Sequence, residues 1–197
     1  MKKIANIRRR EILESFYQVM KTEGLEGSSI PKIAKKMGAH PKLISYYFNS
    51  KDELISELVE YILENFETSF RDRLDKVQDH AKRLDSILDA IFGFEWALLV
   101  DNSVYYACYY LSWKDAKIKE SFKKMFGVLK AFLVDEIDKG IKGGFIPATD
   151  SSKIADLIIA LLEGYTLCWH LRDEDSPDLE LAGYFKEIVL KAMKCEK

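Results

Sequence analysis

SIPKIAKKMGAHPKLISYYFNSKDEL, residues 29–54, holds two short segments of helical periodicity on either side of one glycine, followed at once by a third. Ile33, Ala34 and Met37 recur at the spacing of one helix face, and Gly38 then stops the segment. Ser29 stands where a hydroxyl caps free backbone N–H groups, and Pro31 is tolerated in a first turn. Pro41, with φ pre-set for a first helical position, opens the next segment, which covers Leu43 to Phe48. Ser50-Lys51-Asp52-Glu53 is a capping box, and Leu54, Leu58, Ile62, Phe66, Phe70 and Leu74 continue from it as one apolar stripe. Upstream, Ile12, Phe16 and Met20 share a face of a helix ending near Met20 or Lys21, with Gly24 just beyond. Two short helices around a tight glycine turn, braced by a third, predict a helix-turn-helix within residues 1–50.

That geometry assigns chemistry to the exposed side of the second short helix, whose N-terminal residues approach base edges in a major groove. Ile44 and Phe48, four apart, pack inward on Ile33, Ala34 and Phe16, leaving His40, Lys42, Ser45 and Tyr46 outward, with Pro41 at the leading end. Lys42 can donate to guanine O6 or N7, Ser45 can pair with several base edges, and Tyr46 offers a ring and a hydroxyl. Tyr47 and Lys51 come later, where a phenol and an ammonium reach phosphate; a packing role for Tyr47 stands beside that reading. Ser29 and the N–H groups it caps form a second phosphate site, and Lys32 lies near the expected DNA backbone. Lys35 and Lys36 read as a solvated face.

Charge divides the chain in the same place. The whole 197-residue sequence carries a net charge of -2, but residues 1–51 hold eleven Lys or Arg against four acids, so the head is +7 and the remainder -9. A basic head beside an acidic body points to a polyanionic partner for the head alone. No stretch approaches the ~18 uncharged apolar residues of a membrane span, and the basic start runs into Glu11 and Glu14 rather than a signal-peptide apolar segment, so a cytoplasmic protein without membrane contact is expected. Cys108, Cys168 and Cys195 lack a metal-binding or disulfide pattern, and no motif calls for a cofactor or metal. H-E-x-x-H, G-x-S-x-G and a phosphate-binding glycine loop are absent, and His40, His80 and His170 are isolated, so an enzyme is not expected.

Beyond Asp79, periodicity predicts helices near Leu84–Leu99, Val104–Trp113, Lys117–Lys139, Ser152–Leu171 and Leu179–Met193, with breaks at Gly143-Gly144, Pro147 and Ser176-Pro177. No convincing strand pattern occurs. The expected fold class is all-α, with the three-helix head at 1–50 and a larger helical body at 51–197.

The head also resembles a known family. S-x-x-x-I-A from Ser29 to Ala34, the Gly38 turn and Y-Y-F-x-S-K-x-E-L from Tyr46 to Leu54 are similar to the N-terminal signature of TetR-type one-component repressors. P-x-L-I-S-Y-Y-F, Pro41 to Phe48, is closest to the betaine-regulator branch, with Ser45 where many relatives carry tyrosine. His40 departs from the family, standing where a serine or threonine usually caps the recognition helix. The resemblance is strong over about residues 8–60 and weak afterwards. It implies a ligand-responsive repressor of double-stranded operator DNA, whose body encloses a cavity for a small-molecule effector and releases DNA when that cavity is filled.

In the body, DNSVYYACYYLSW places Tyr106, Tyr109, Tyr110 and Trp113 on one helical face, which serves either core packing or a ligand pocket. With the resemblance, Phe92, Trp96, Tyr106, Tyr109, Tyr110, Trp113, Phe126, Leu129, Glu163 and Trp169 are the candidates to line it. Glu95, Glu163 and His170 interrupt apolar stretches; a carboxylate among aromatics suits a cationic or amphipathic effector, while interface salt bridges are the other reading. The two final helices carry wide apolar faces (Ile154, Leu157, Ile158, Leu161, Leu162; Leu181, Phe185, Ile188, Val189) that predict a two-fold homodimer, since paired heads reading a palindrome add their binding energies. A non-specific architectural binder or a helical interaction protein without ligand remains the alternative.

Overall fold

The computed structural model describes residues 2–74, 77, 79, 82–93, 100–171 and 178–195. Among these residues there are nine helices and no strand: α1 Lys2–Gly27, α2 Ile30–Met37, α3 Pro41–Tyr47, α4 Lys51–Leu74, α5 Arg83–Phe92, α6 Asn102–Leu111, α7 Ala116–Lys142, α8 Ser151–His170 and α9 Leu179–Cys195. The chain forms two compact units, residues 1–66 with 100–125 and residues 67–99 with 126–197, so two of the three boundaries fall inside α4 and α7. Trp96 and Glu95 lie outside the described residues, as do the side chains of Phe66, Phe70 and Leu74.

In the first unit the predicted faces close on one core. Ile12, Phe16 and Met20 of α1, Ile33 and Ala34 of α2, Ile44 of α3, Phe48, and Leu54, Leu58 and Ile62 of α4 are all buried, together with Val104 and Cys108 of α6. Burial of one such large side chain contributes about 1.5–3 kcal/mol. A seven-residue helix is far shorter than the ~12–15 residues an isolated helix needs, so α3 exists because Ile44 and Phe48 anchor it. The unit also takes in α6, whose Asp101 N-cap accepts from Ser103 N at 3.0 Å and Val104 N at 3.4 Å. The Asp101 N–H donates to Tyr17 Oη at 2.7 Å, tying the start of α6 to α1. Burial raises the Tyr17 hydroxyl pKa, and burial likewise pushes the Cys108 thiol up to about 12, leaving it inert.

Three local expectations differ from the structure. α1 extends back to Lys2 and carries a last turn to Gly27 beyond a break at Gly24 (φ 70°, ψ 176°), which the glycine supplies without side-chain strain. Ser29 occupies the N-cap position of α2 but makes no side-chain cap; the neighbouring Ser28 hydroxyl instead donates to Leu25 O at 2.6 Å. The Ser50 box forms in part: Ser50 Oγ accepts from Glu53 N at 3.1 Å, while the Glu53 carboxylate reaches one residue further back, to Asn49 N at 2.8 Å.

In the second unit α9 packs on α8 and α5, with the Phe185 ring against Phe92 (6.0 Å between centroids) and Tyr165 (5.6 Å). Asp150 caps α8 by accepting from Ser152 N and Lys153 N, both at 3.1 Å. Arg83 on α5 holds the buried Glu136 of α7 in a forked pair at 2.9 and 3.2 Å. Burial pushes the Glu136 carboxyl pKa up, but the bonds from Arg83 and Lys139 outweigh it and hold it below the usual range. Of the apolar positions expected to face a second subunit, Ile154, Ile158, Leu162 and Val189 are core residues of this unit. Leu157, Leu161, Leu181, Phe185 and Ile188 are half-buried, and the large apolar side chains left exposed on α8 and α9 are Leu167, Leu171 at the end of α8, Leu179 and Tyr184.

Candidate DNA-binding surface

The α2–α3 corner is made by Gly38, whose backbone is left-handed (φ 65°, ψ 29°) and whose N–H caps α2 through Ala34 O and Lys35 O. A Cβ there meets no neighbour, so the glycine is required by conformation and not by space. His40 follows in extended conformation and replaces the usual hydroxyl cap: its Nδ1 accepts from Lys42 N at 3.2 Å and its carbonyl from Leu43 N at 2.9 Å. Nδ1 is therefore engaged with the backbone, and Nε2 is the ring nitrogen free to turn toward a partner.

Beyond the cap, α3 divides cleanly into two sides. Ile44 and Phe48 are buried, whereas His40, Lys42, Ser45 and Tyr46 are exposed and Pro41 and Tyr47 are half-buried. Tyr46 stands out at 81% exposure, its ring meeting the edge of Tyr47 at 5.0 Å. Two hydroxyls, an ammonium and an imidazole thus lie along one helix of seven residues and its N-cap, none of them buried in the core. Such a row offers donors and acceptors to the major-groove edges of bases and an apolar ring to a thymine methyl.

The remaining cations of the head are spent differently. Lys32 sits against the Glu23 carboxylate in a solvent-exposed pair, which is worth ~0–1 kcal/mol and is readily exchanged for phosphate. Lys51 also serves the fold. Its ammonium donates to Leu25 O at 2.6 Å, closing the C-terminal turn of α1, and burial lowers its pKa. The start of α4 lies beside the last turn of α1, where Leu25 O accepts from both the Ser28 hydroxyl and the Lys51 ammonium. Ser29 is exposed and its hydroxyl unengaged by a cap, so it remains available to a phosphate.

Arg9, which the sequence presents only as part of a basic run, is part-buried and held by partners within the head. Its guanidinium donates to Glu57 Oε2 at 2.9 Å, to Glu53 Oε1 at 3.1 Å and to the Tyr47 carbonyl, and lies 4.3 Å over the Phe48 ring. The hydrogen bond to Glu57 leads the interactions that raise its pKa.

The predicted effector residues are spread over both units. In the first, Tyr106 and Tyr109 are half-buried, while Tyr110 and Trp113 point to solvent at 54% and 77% exposure. Tyr105, not among the predicted set, fills the core instead and meets Phe122 at 5.7 Å; Tyr109 meets the same ring at 5.2 Å. In the second, Phe92 and Leu129 are core residues, Phe126, Glu163 and Trp169 are half-buried, and His170 is exposed. Two cavities formed by described residues, about 810 Å³ near Arg10 and Tyr61 and about 320 Å³ near Arg83 and Phe145, include none of these positions. Among the described residues no group of three His, Cys, Asp or Glu is placed to hold a metal, and no helix is long and apolar enough to cross a membrane.

Comparison with known proteins places this geometry. Residues 12–58 match the family model for bacterial regulatory proteins of the tetR family, and residues 79–195 match that for the tetracyclin repressor-like C-terminal domain. The chain is 25% identical over 167 residues to the HTH-type transcriptional regulator BetI of Vibrio campbellii, an alignment covering 82% of this chain and 79% of that protein. Two solved structures share the fold: a transcriptional regulator from Saccharomonospora viridis in complex with choline (TM-score 0.76, 20% identity, 92% and 94% of the two chains) and the regulator FadR of Bacillus subtilis in complex with stearoyl-CoA (TM-score 0.72, 16% identity, 92% and 97%). A helix-turn-helix head and an all-helical body, each matched by its own family model, make this chain a DNA-binding transcriptional regulator of the TetR family.

Proposed function

We propose that the protein is a repressor that binds a palindromic operator as a cytoplasmic homodimer and lets go when a small-molecule effector occupies its helical body. The observation that carries the DNA-reading half is the partition of α3, with Ile44 and Phe48 clamped in the core and His40, Lys42, Ser45 and Tyr46 presented together. In this reading Lys42 and Ser45 address base edges, Tyr46 contributes ring and hydroxyl, and Ser29, Lys32, Pro41 and Tyr47 position the head on the backbone. A helix this short makes few base contacts, and two heads on half-sites ~34–36 Å apart, or a multiple, supply the rest. Exposed Leu167, Leu171, Leu179 and Tyr184 favour self-association through α8 and α9.

For the effector, the choline held by the Saccharomonospora viridis regulator and the aromatic content of α6 favour a cationic or amphipathic compound recognised partly by cation–π contact. The effector needs only a differential affinity of about 1–3 kcal/mol between DNA-competent and mismatched states. Two helices run unbroken from one unit into the other: α4, whose residues 51–66 belong to the head's unit and 67–74 to the other, and α7, divided at 125/126; within the head's unit a hydrogen bond from Asp101 N to Tyr17 Oη joins the start of α6 to α1.

Selection of bound duplexes from a randomised pool tests the proposal. It is expected to enrich a palindrome whose binding is steeply salt-dependent and is relieved by an effector, with choline the first compound in a thermal-shift series. Steep salt dependence without an enriched sequence means an architectural binder, and stabilisation only by anionic or wholly apolar compounds excludes the cationic effector.

A further inference from the structure

We infer that Arg9 is the positioning residue of the recognition helix: a clamp that sets the C-terminal end of α3, and through it Tyr46, without touching DNA. The inference rests on α3 reading DNA, as proposed above. α3 is held at its leading end by the Gly38 corner and the His40 cap, but a helix of seven residues leaves its last carbonyls unsatisfied. Ile44 O is taken by Phe48 N at 2.9 Å, and Tyr47 O is taken by Arg9. The same guanidinium lies over Phe48, the first residue after the helix, at 4.3 Å.

What fixes Arg9 is equally specific. Glu57 binds it through both carboxylate oxygens, Nε to Oε2 at 2.9 Å and Nη2 to Oε1, and Glu53 adds a bond from Nη2 at 3.1 Å. The other oxygen of Glu53 holds Asn49 N at 2.8 Å and Asn49 Nδ2 at 2.9 Å, so one network grips residues 47 to 49, where the chain leaves α3 and turns into α4. Three acceptor groups in different directions and an aromatic face below call for a planar fork of donors, which an ammonium cannot reproduce. Arg9 is part-buried, and its Nε, Nη1 and Nη2 each donate within the head, so its charge is largely compensated there by Glu53 and Glu57.

The test uses the duplex that the wild-type protein enriches from a randomised pool, together with an unrelated duplex of equal length. Arg9→Lys keeps the charge and loses the fork. It is expected to bind the enriched duplex roughly tenfold to a hundredfold more weakly, the equivalent of about one base-pair contact, and to bind the unrelated duplex as the wild type does. Arg9→Gln is expected to leave the slope of log K against log salt unchanged, whereas loss of a phosphate contact lowers it by ~0.9 per protomer. Circular dichroism confirms that helix content is retained. If either Arg9 variant fails to fold, Glu57→Gln, which leaves Arg9 charged, decides: a loss confined to the enriched duplex supports the clamp. Wild-type affinity for the enriched duplex in Arg9→Lys or Glu57→Gln overturns it, as does a lowered salt slope with equal losses on both duplexes in Arg9→Gln. A wild-type protein that enriches no sequence overturns the underlying DNA reading instead, and the clamp with it.

Discussion

Replacing Tyr46 and Ile44 one at a time separates reading from folding, because the two residues lie two positions apart on α3 and differ as far as side chains can in burial, 81% against 0% exposed. Tyr46→Ala removes a ring whose only described ring partner is the edge of Tyr47 at 5.0 Å. An aromatic pair is worth about 0.5–1.5 kcal/mol, and solvent exposure on this scale places the loss at the low end. For a chain of this length 1 kcal/mol shifts the melting temperature by about 2–4 °C, so the variant should melt within ~3 °C of wild type. Its loss on DNA is one base contact per head, about 1–3 kcal/mol, which occurs twice in a dimer and amounts to at least ~30-fold in Kd. Ile44→Ala reverses the pattern. A fully buried isoleucine cut to alanine costs about 2–5 kcal/mol, or roughly 5–20 °C. Differential scanning fluorimetry gives the first number and fluorescence anisotropy with a labelled operator the second. A Tyr46→Ala protein that melts as low as Ile44→Ala, or that melts normally and binds DNA with unchanged Kd, refutes the assignment of faces.

The other expectations are briefer. Lys32→Gln should lower the slope of log K against log salt by ~0.9 per protomer between 50 and 200 mM salt, while Lys51→Gln, whose ammonium serves Leu25 O, should leave the slope and lower the melting temperature. Bonds from Asn49, first its backbone N–H, and from Arg9 hold the Glu53 carboxyl below the ordinary carboxylate pKa. Its stabilisation is therefore complete above about pH 4.3 and lost as pH falls through the depressed value, so the stability gap between wild type and Glu53→Gln in urea should shrink below about pH 4; a gap independent of pH contradicts this. Light scattering should find a mass twice the 22.8 kDa of one chain, and Leu171→Glu with Tyr184→Glu should halve it, provided the exposed ends of α8 and α9 form the dimer contact.

The head was legible in the sequence because near-neighbour rules decide it. Gly38 needs a left-handed backbone, Pro41 starts a helix, and Ile44 and Phe48 fall four apart, so the buried face of α3 follows from spacing alone. Contacts that depend on partners distant in sequence were not legible. Arg9 looks like one more cation of a basic head until α4 brings Glu53 and Glu57 to it from 44 and 48 residues away; two acids four apart on one helix face were the available signal. Lys51 reads as a phosphate ligand because its nearest acceptor, Leu25 O, lies 26 residues back. α6 is ambiguous for another reason: with Tyr105, Tyr106, Tyr109, Tyr110 and Trp113 in nine positions, every phase of the helix presents an aromatic face. The structure selects the phase that buries Val104, Tyr105 and Cys108. Apolar residues almost all round α8 hide its inner stripe in the same way.

The most direct test replaces Tyr46 with the photo-crosslinker benzoylphenylalanine and irradiates the protein on the enriched duplex. Crosslinks to bases within each half-site are expected from position 46, and none from the same probe at Tyr184, the exposed aromatic on α9. No crosslink from position 46, or crosslinks to the half-site from position 184, would contradict the claim that the outward face of α3 is the surface that reads DNA.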